Sequence, residues 1–312
     1  MMKRILLWIF VLSFLSWQGY RYWPVTVHIR SADREKDFSI RMPLKDKQRL
    51  DFFFREVCFF NVWAYTLLGS KPSSIDQYTN PWVAFKNGIK HPDFFGILHL
   101  CFWPPHYQRI YYLLTPRQLK IKWGWEALKK YFHRFPNSRF ALYESCSLDH
   151  EIVGLTLVDK KQMIALVREH FEDFQDALKN QGIEPEELID HAKLWAFMRC
   201  LGDEEFAGTL LGYGRGNARL YAKWRESDSS VCPMESAWPE EQLVNLEQVN
   251  QRTMAFQPWE LSDMFYPRFA CDPESEETKQ LKVTYRKERE KIIQYFEGKD
   301  LVEAALSLFN QE

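Results

Sequence analysis

Apolar and polar positions alternate twice near the start of the chain. Val25-Thr26-Val27-His28-Ile29-Arg30 does so after Pro24, and Phe38-Ser39-Ile40-Arg41-Met42 repeats it after a charged stretch. A period of two sends every second side chain to the same face. The pair therefore predicts a β-hairpin with one buried face and a longish loop around 31–37. Pro43 stands where a helix can begin, because a first-turn N–H has no partner in any case. From there the pattern is helical to Leu68. Residues 57–68 are apolar nearly all round except for Asn61 and Thr66, which predicts a central core helix. Gly69 and Pro72 supply the stop.

Beyond that stop the periods weaken. Residues 73–106 mix Pro, Trp and Phe without a repeat and predict irregular chain, with a short helix over 81–87. Strands are expected at 109–114, 139–144 and 152–158, and a helix at 120–135. Asp159 followed by Gln162 has capping-box spacing. It opens a helix whose face carries Met163, Val167, His170, Phe171, Phe174 and Leu178, ending at Gly182. Pro185 opens a second helix to about Leu201, and Asp203 a third that carries Phe206, Leu210 and Leu211. Residues 227–273 are interrupted by five prolines and predict a loop-rich segment, with a helix over 240–251; such segments are often functional or mobile. Helices over 276–297 and 301–309 close the chain. The sum is an α+β protein, predominantly helical, with a small antiparallel sheet.

The first 23 residues change the picture. Lys3 and Arg4 precede an apolar run from Ile5 to Trp17, too short for an ordinary membrane span of about 20 residues. A basic start before such a run predicts a signal peptide or an uncleaved signal-anchor, 1–23. One globular domain, 24–312, follows. The body would then sit in the cell envelope, exported or anchored to the cytoplasmic membrane through residues 5–17, with the basic end left inside. A buried helix of a cytoplasmic protein is the competing reading.

Charge and composition exclude more than they assign. With 41 Lys+Arg against 42 Asp+Glu the net charge is −1, which argues against a nucleic-acid partner. Aromatic residues make up 16% of the chain, enough for extensive core and surface stacking. The six cysteines are far apart and lack any CxxC; their even number allows disulfides after export, but most read as buried small hydrophobes.

Four of the 13 glycines, Gly208, Gly212, Gly214 and Gly216, fall within nine residues. On a continuous helix Gly208, Gly212 and Gly216 form a flat stripe for close packing. Alternatively the helix breaks near Gly212, the backbone N–H groups converge, Asn217 caps a new helix, and Arg215 and Arg219 add positive charge for an anion. The weak candidate ligand site is thus Gly212, Gly214, Arg215, Gly216, Asn217 and Arg219. It lacks the Lys-Ser/Thr of a Walker loop and the preceding strand of a Rossmann turn. Cys146-Ser147-Leu148-Asp149-His150 has nucleophile, base and carboxylate types, but on five consecutive residues it reads as a hairpin loop. His91, His99, Cys101 and His106 match no metal spacing. His170 reads as a core histidine, Trp123, Trp125, Tyr111 and Tyr112 as packing aromatics, and 286–291 as a solvated helix face. No catalytic residue, metal or cofactor is assigned.

Two segments carry a resemblance. Tyr65-Thr66-Leu67-Leu68-Gly69-Ser70-Lys71-Pro72 and Leu210-Leu211-Gly212-Tyr213-Gly214 resemble paired segments of an uncharacterised protein family of chlamydia-type bacteria. The resemblance implies an envelope or host-interaction context and carries over no activity. The reading that results is a non-enzymatic envelope protein that binds a protein or a small anionic ligand. The alternative is a hydrolase or transferase acting on an anionic substrate at Gly212–Arg219.

Overall fold

The computed structural model describes residues 22–30, 37–60, 62–79, 117–146, 152–170, 204–226, 235–238 and 264–311, together with Glu187 and Leu261. The expected hairpin is present: β1 (Pro24–Ile29) pairs antiparallel with β2 (Phe38–Pro43), Val27 opposite Ile40. Val27, Ile29, Ile40 and Met42 are buried and the residues between them are exposed, as a period of two requires.

The helix expected through Leu68 is instead three pieces. Helix α1 (Leu44–Phe54) widens into a π-helical turn, Arg55–Phe60, and the chain restarts as α2 (Trp63–Leu68). Val62 sits between them at φ 62°, a left-handed backbone that a β-branched side chain resists. Carbonyls here accept from outside the helices: the Phe265 N–H donates to Phe59 O at 2.8 Å, and Ser74 Oγ donates to Val62 O at 3.3 Å.

A three-stranded antiparallel sheet follows in the order β3-β5-β4, from β3 (Ser73–Thr79), β4 (Phe140–Cys146) and β5 (Ile152–Asp159). Ser74 and Leu142 both stand opposite Leu157. Strand β3 corrects the expectation of irregular chain after Pro72. Its pattern is inverted: Ser73 and Ser74 are buried while Ile75 is exposed. The two serines tolerate burial because each hydroxyl is bonded, Ser74 Oγ meeting Thr66 Oγ1 at 2.7 Å and Ser73 Oγ donating to Leu210 O at 2.7 Å. The strand expected at 109–114 lies outside the described residues.

Helix α3 (Arg117–Phe132) crosses α1 closely at Gly124, where a Cβ would collide with the Phe53 side chain and the Arg49 carbonyl. Helix α4 (Lys160–Glu169) is capped as expected, Asp159 Oδ1 accepting the Gln162 N–H at 3.1 Å. Met163 and Val167 are buried, and His170, the half-buried C-cap residue, follows the helix. The continuation through 182 and, apart from Glu187, the helix over 185–201 fall outside the described residues, as do the helices over 81–87 and 240–251, the segment 1–21, Tyr111, Tyr112 and the histidines at 91, 99 and 106.

Helices α5 (Glu204–Leu210) and α6 (Arg215–Glu226), the short pair β6 (Glu235–Ser236) and β7 (Ala270–Cys271), and helices α7 (Glu276–Phe296) and α8 (Leu301–Phe309) complete the order. The protein is therefore α+β, mainly helical, with small antiparallel sheets. No described helix is long and apolar enough to cross a membrane. Cys58 and Cys271 are buried free thiols.

The core is aromatic. Phe309 at the end of α8 packs against Phe54, Phe132, Phe135 and Phe140, with ring centroids 5.3–6.4 Å away. Trp63 meets Phe53 at 5.6 Å and Trp125 at 6.4 Å. The run 286–291 is not wholly a solvated face. Glu288 is buried against the Gly69–Ser70 turn, and Arg289 Nε donates to Met264 O at 3.0 Å.

Candidate functional site

The two segments that stand out in the sequence pack against each other. Helix α5 ends at Leu210, and the turn that follows returns its N–H groups to the carbonyls of Ala207, Gly208 and Thr209. The next three carbonyls are taken by side chains from elsewhere. Ser73 Oγ donates to Leu210 O, Lys71 Nζ donates to Leu211 O at 2.5 Å, and Tyr285 Oη donates to Gly212 O at 2.6 Å. Lys71 Nζ also donates to Ser73 O at 2.5 Å and lies 4.8 Å from the centre of the Tyr213 ring. Only 1% of Lys71 is exposed, and that burial pushes its ammonium down to about pH 7. The same burial pushes the Tyr213 phenol up to about 12, and the Tyr285 phenol up further.

Glu288 forms the floor of the Gly69–Ser70 turn. Its Oε1 accepts the Ser70 N–H at 2.7 Å, and Gly69 is a glycine because a Cβ there would collide with the carboxylate. Burial raises the Glu288 carboxyl above its ordinary range. Among the described residues Glu288 Oε2 and Tyr65 Oη have no hydrogen-bond partner.

The glycine segment is a break between two helices, so the account of one continuous helix with a glycine stripe gives way. Gly212 (φ 75°) and Gly214 (φ 83°) adopt the left-handed backbone that glycine tolerates best. Gly208 does serve close packing, since a Cβ there would lie 2.7 Å from Ala218 Cβ. The N–H groups at the start of α6 converge on a carboxylate of the same chain: Glu277 Oε1 accepts from Gly216 at 3.1 Å and Oε2 from Asn217 at 2.9 Å. Asn217 is inside the first turn of α6 and does not cap it. Its side chain donates to Tyr213 O and accepts from Thr278 Oγ1, both at 3.0 Å. Arg215 and Arg219 both reach Glu205, at 3.2 and 3.0 Å. Burial pushes the Glu205 carboxyl up, but hydrogen bonds from Arg219 and Arg215 outweigh it and hold the group below its usual range.

Beside this junction is a groove of about 360 Å³ between α5, α6 and β7, its walls including Tyr213, Tyr221, Asn217, Arg268 and Phe269. Tyr213 stacks on Phe269 at 5.5 Å, and the exposed Arg268 lies 4.9 Å from the centre of the Phe265 ring. Of the six candidate ligand residues, Asn217 lines the groove. Gly212 and Gly214 shape the turn behind it, Gly216 serves the cap, and the two arginines hold Glu205. Arg268 and Phe269 carry no local motif; their only sign is their place in the proline-interrupted stretch before Pro273.

A second cluster escaped the sequence reading altogether. Glu56, fully buried on the π-helical turn, pairs with Arg117 through Oε2 and leaves Oε1 without a partner among the described residues. Burial raises its carboxyl, and burial pushes the nearby Lys120 ammonium down to about 8. Nothing local distinguishes Glu56 from any helical glutamate. Cys146 ends β4, and the rest of the Cys146–His150 stretch lies outside the described residues. Trp123 and Trp125 lie on α3, where Trp125 is buried and donates to Glu144 Oε2 at 2.5 Å. Among the described residues no group of three or more His, Cys, Asp or Glu is placed to hold a metal.

No protein-family model matches the chain, and neither a curated protein nor a solved structure is similar to it.

Proposed function

We propose that this is a non-enzymatic envelope protein, exported or anchored through residues 5–17, that binds an aromatic, anionic ligand group in the groove between α5, α6 and β7. One observation carries the reading: the groove brings the aromatic side chains of Tyr213, Tyr221 and Phe269 together with the exposed cation of Arg268. Flat rings take a flat apolar group, and the guanidinium takes its charge. The ligand is either a small molecule or a side-chain cluster of a partner protein. The alternative, hydrolysis or transfer on an anion held by Gly212–Arg219, has less support, because Glu277 and Glu205 already occupy the donors such an anion would need.

The test uses anilinonaphthalene sulfonate, an aromatic anion whose emission rises on binding. The wild-type chain should bind one equivalent, and Tyr221→Glu and Arg268→Glu should each abolish that binding while leaving the melting temperature unchanged. Equal binding by the variants overturns the groove assignment. A reporter active only outside the cytoplasm, fused after Asp33, should be active; an inactive fusion refutes export.

A further inference from the structure

Strand β1 runs alongside α8 and leaves a second cleft, of about 500 Å³, against the corner where α7 turns into α8. Two bonds clamp the strand in place. The Arg30 N–H donates to Ser307 Oγ at 2.9 Å, and the His28 N–H donates to Glu303 Oε1 at 3.2 Å. The corner itself is Gly298, left-handed at φ 69° with nothing within 4 Å of a would-be Cβ, so the rim there is open.

The charges lining this cleft are unequally committed. Its two carboxylates are used by the fold. Asp300 caps α8 through the Glu303 N–H at 3.1 Å and pairs with Lys47 at 2.8 Å, while Glu303 holds β1. Burial pushes the Asp300 carboxyl up, but the hydrogen bond from Lys47 and those from the backbone hold it below its usual range, so it stays an anion already satisfied. The two cations are not used in this way. Among the described residues neither the Arg30 guanidinium nor the Lys299 ammonium meets a carboxylate; Lys299 Nζ lies 3.8 Å from the centre of the Tyr295 ring. Tyr295 is itself pinned, its hydroxyl donating to Ala304 O at 3.1 Å.

We propose that this cleft binds a phosphomonoester. Arg30 would take two phosphate oxygens with its planar fork and Lys299 the third as a point charge, two positive charges matching a dianion. The cleft is large enough to enclose the attached organic group against Tyr295 and Ala304. The phosphate could belong to a free metabolite-sized molecule or to a lipid headgroup, and the same two cations would serve either.

The experiment measures binding of glucose 6-phosphate to the full chain by calorimetry, with glucose as the uncharged control. In parallel, the chain is floated with phosphatidylcholine vesicles with and without phosphatidic acid, whose headgroup is also a phosphomonoester. Saturable binding of glucose 6-phosphate and not of glucose is expected for a soluble ligand. Binding only to vesicles that contain phosphatidic acid assigns the lipid source. In either arm Arg30→Ala and Lys299→Ala should each weaken binding at least about tenfold, the loss of one charge-assisted contact. Both side chains are exposed, so melting temperatures should not move. No binding in either arm, equal binding of glucose, or unchanged affinity in both variants overturns the proposal. None of these substitutions touches the α5–α6 groove.

Discussion

Replacing Lys71 by methionine tests the junction between the two motif segments. Methionine keeps the length and apolar bulk of the side chain but removes both donors. Leu211 O and Ser73 O would then be buried without their present partner, at a cost of about 1–3 kcal/mol each. Part of that cost is offset because the wild type carries a penalty of its own. With a folded pKa of about 7 against 10.5 in the unfolded chain, the unfolded state binds more protons between those values. The wild type therefore gains stability as pH rises through that window, by up to about 1.4 kcal/mol per unit. A neutral amine still has two N–H groups for its two carbonyls, so the bonds survive deprotonation. The methionine variant lacks this titration. The stability gap between the two proteins should widen by about 2 kcal/mol from pH 7 to pH 9. Lys120 titrates in an overlapping window, but it is common to both proteins and cancels in the difference. Urea unfolding followed by tryptophan fluorescence at half-unit pH steps measures the gap. Parallel pH profiles for the two proteins would refute the argument that Lys71 is a buried, proton-losing strut.

Three further outcomes follow from the same region and its surroundings. Glu277→Ala should destabilise the protein by about 1–2 kcal/mol in urea by uncapping α6; inorganic phosphate should then raise the melting temperature of the variant more than that of the wild type, and equal shifts in both would refute the cap. Gly298→Ala, in open space, should show the left-handed backbone cost alone, about 1–2 kcal/mol. Gly212→Ala should cost more, because its Cβ also lies 2.8 Å from the Pro72 ring, and a ranking reversed in chemical denaturation would count against the assigned backbone. Glu288→Gln keeps an acceptor for Ser70 N–H and removes a carboxyl whose folded pKa is raised by burial, a group that costs stability as pH climbs past its ordinary value. The variant should gain on the wild type between pH 4.5 and 7 in thermal melts, and a constant difference would contradict it.

The sequence by itself determined the elements whose signals are local. The hairpin of β1 and β2 was legible because a period of two is a property of neighbours, and both buried faces obey it. The cap at Asp159 was legible because a carboxylate and the N–H it accepts are three residues apart. The helices over 276–297 and 301–309 were legible for the same reason, as was Gly69 as a stop. The glycine segment announced itself as costly in a helix, which left two accounts open, and the helix break decided between them only once its surroundings were known.

What the tertiary structure decided is which distant group answers each local demand. Strand β3 buries serines and exposes Ile75 because Thr66 and the end of α5 supply hydrogen-bond partners, and no window of sequence contains them. The α6 N-terminus takes its carboxylate from Glu277, 60 residues further on, and the α5 C-terminus takes its cation from Lys71, 140 residues earlier. The π-helical turn that buries Glu56 draws on a partner in Phe265 across the fold. A chain can advertise that a backbone group needs a partner, since that need depends on φ, ψ and the nearest few residues. Which side chain fills it depends on how whole elements pack, and packing is a sum over contacts far apart in sequence.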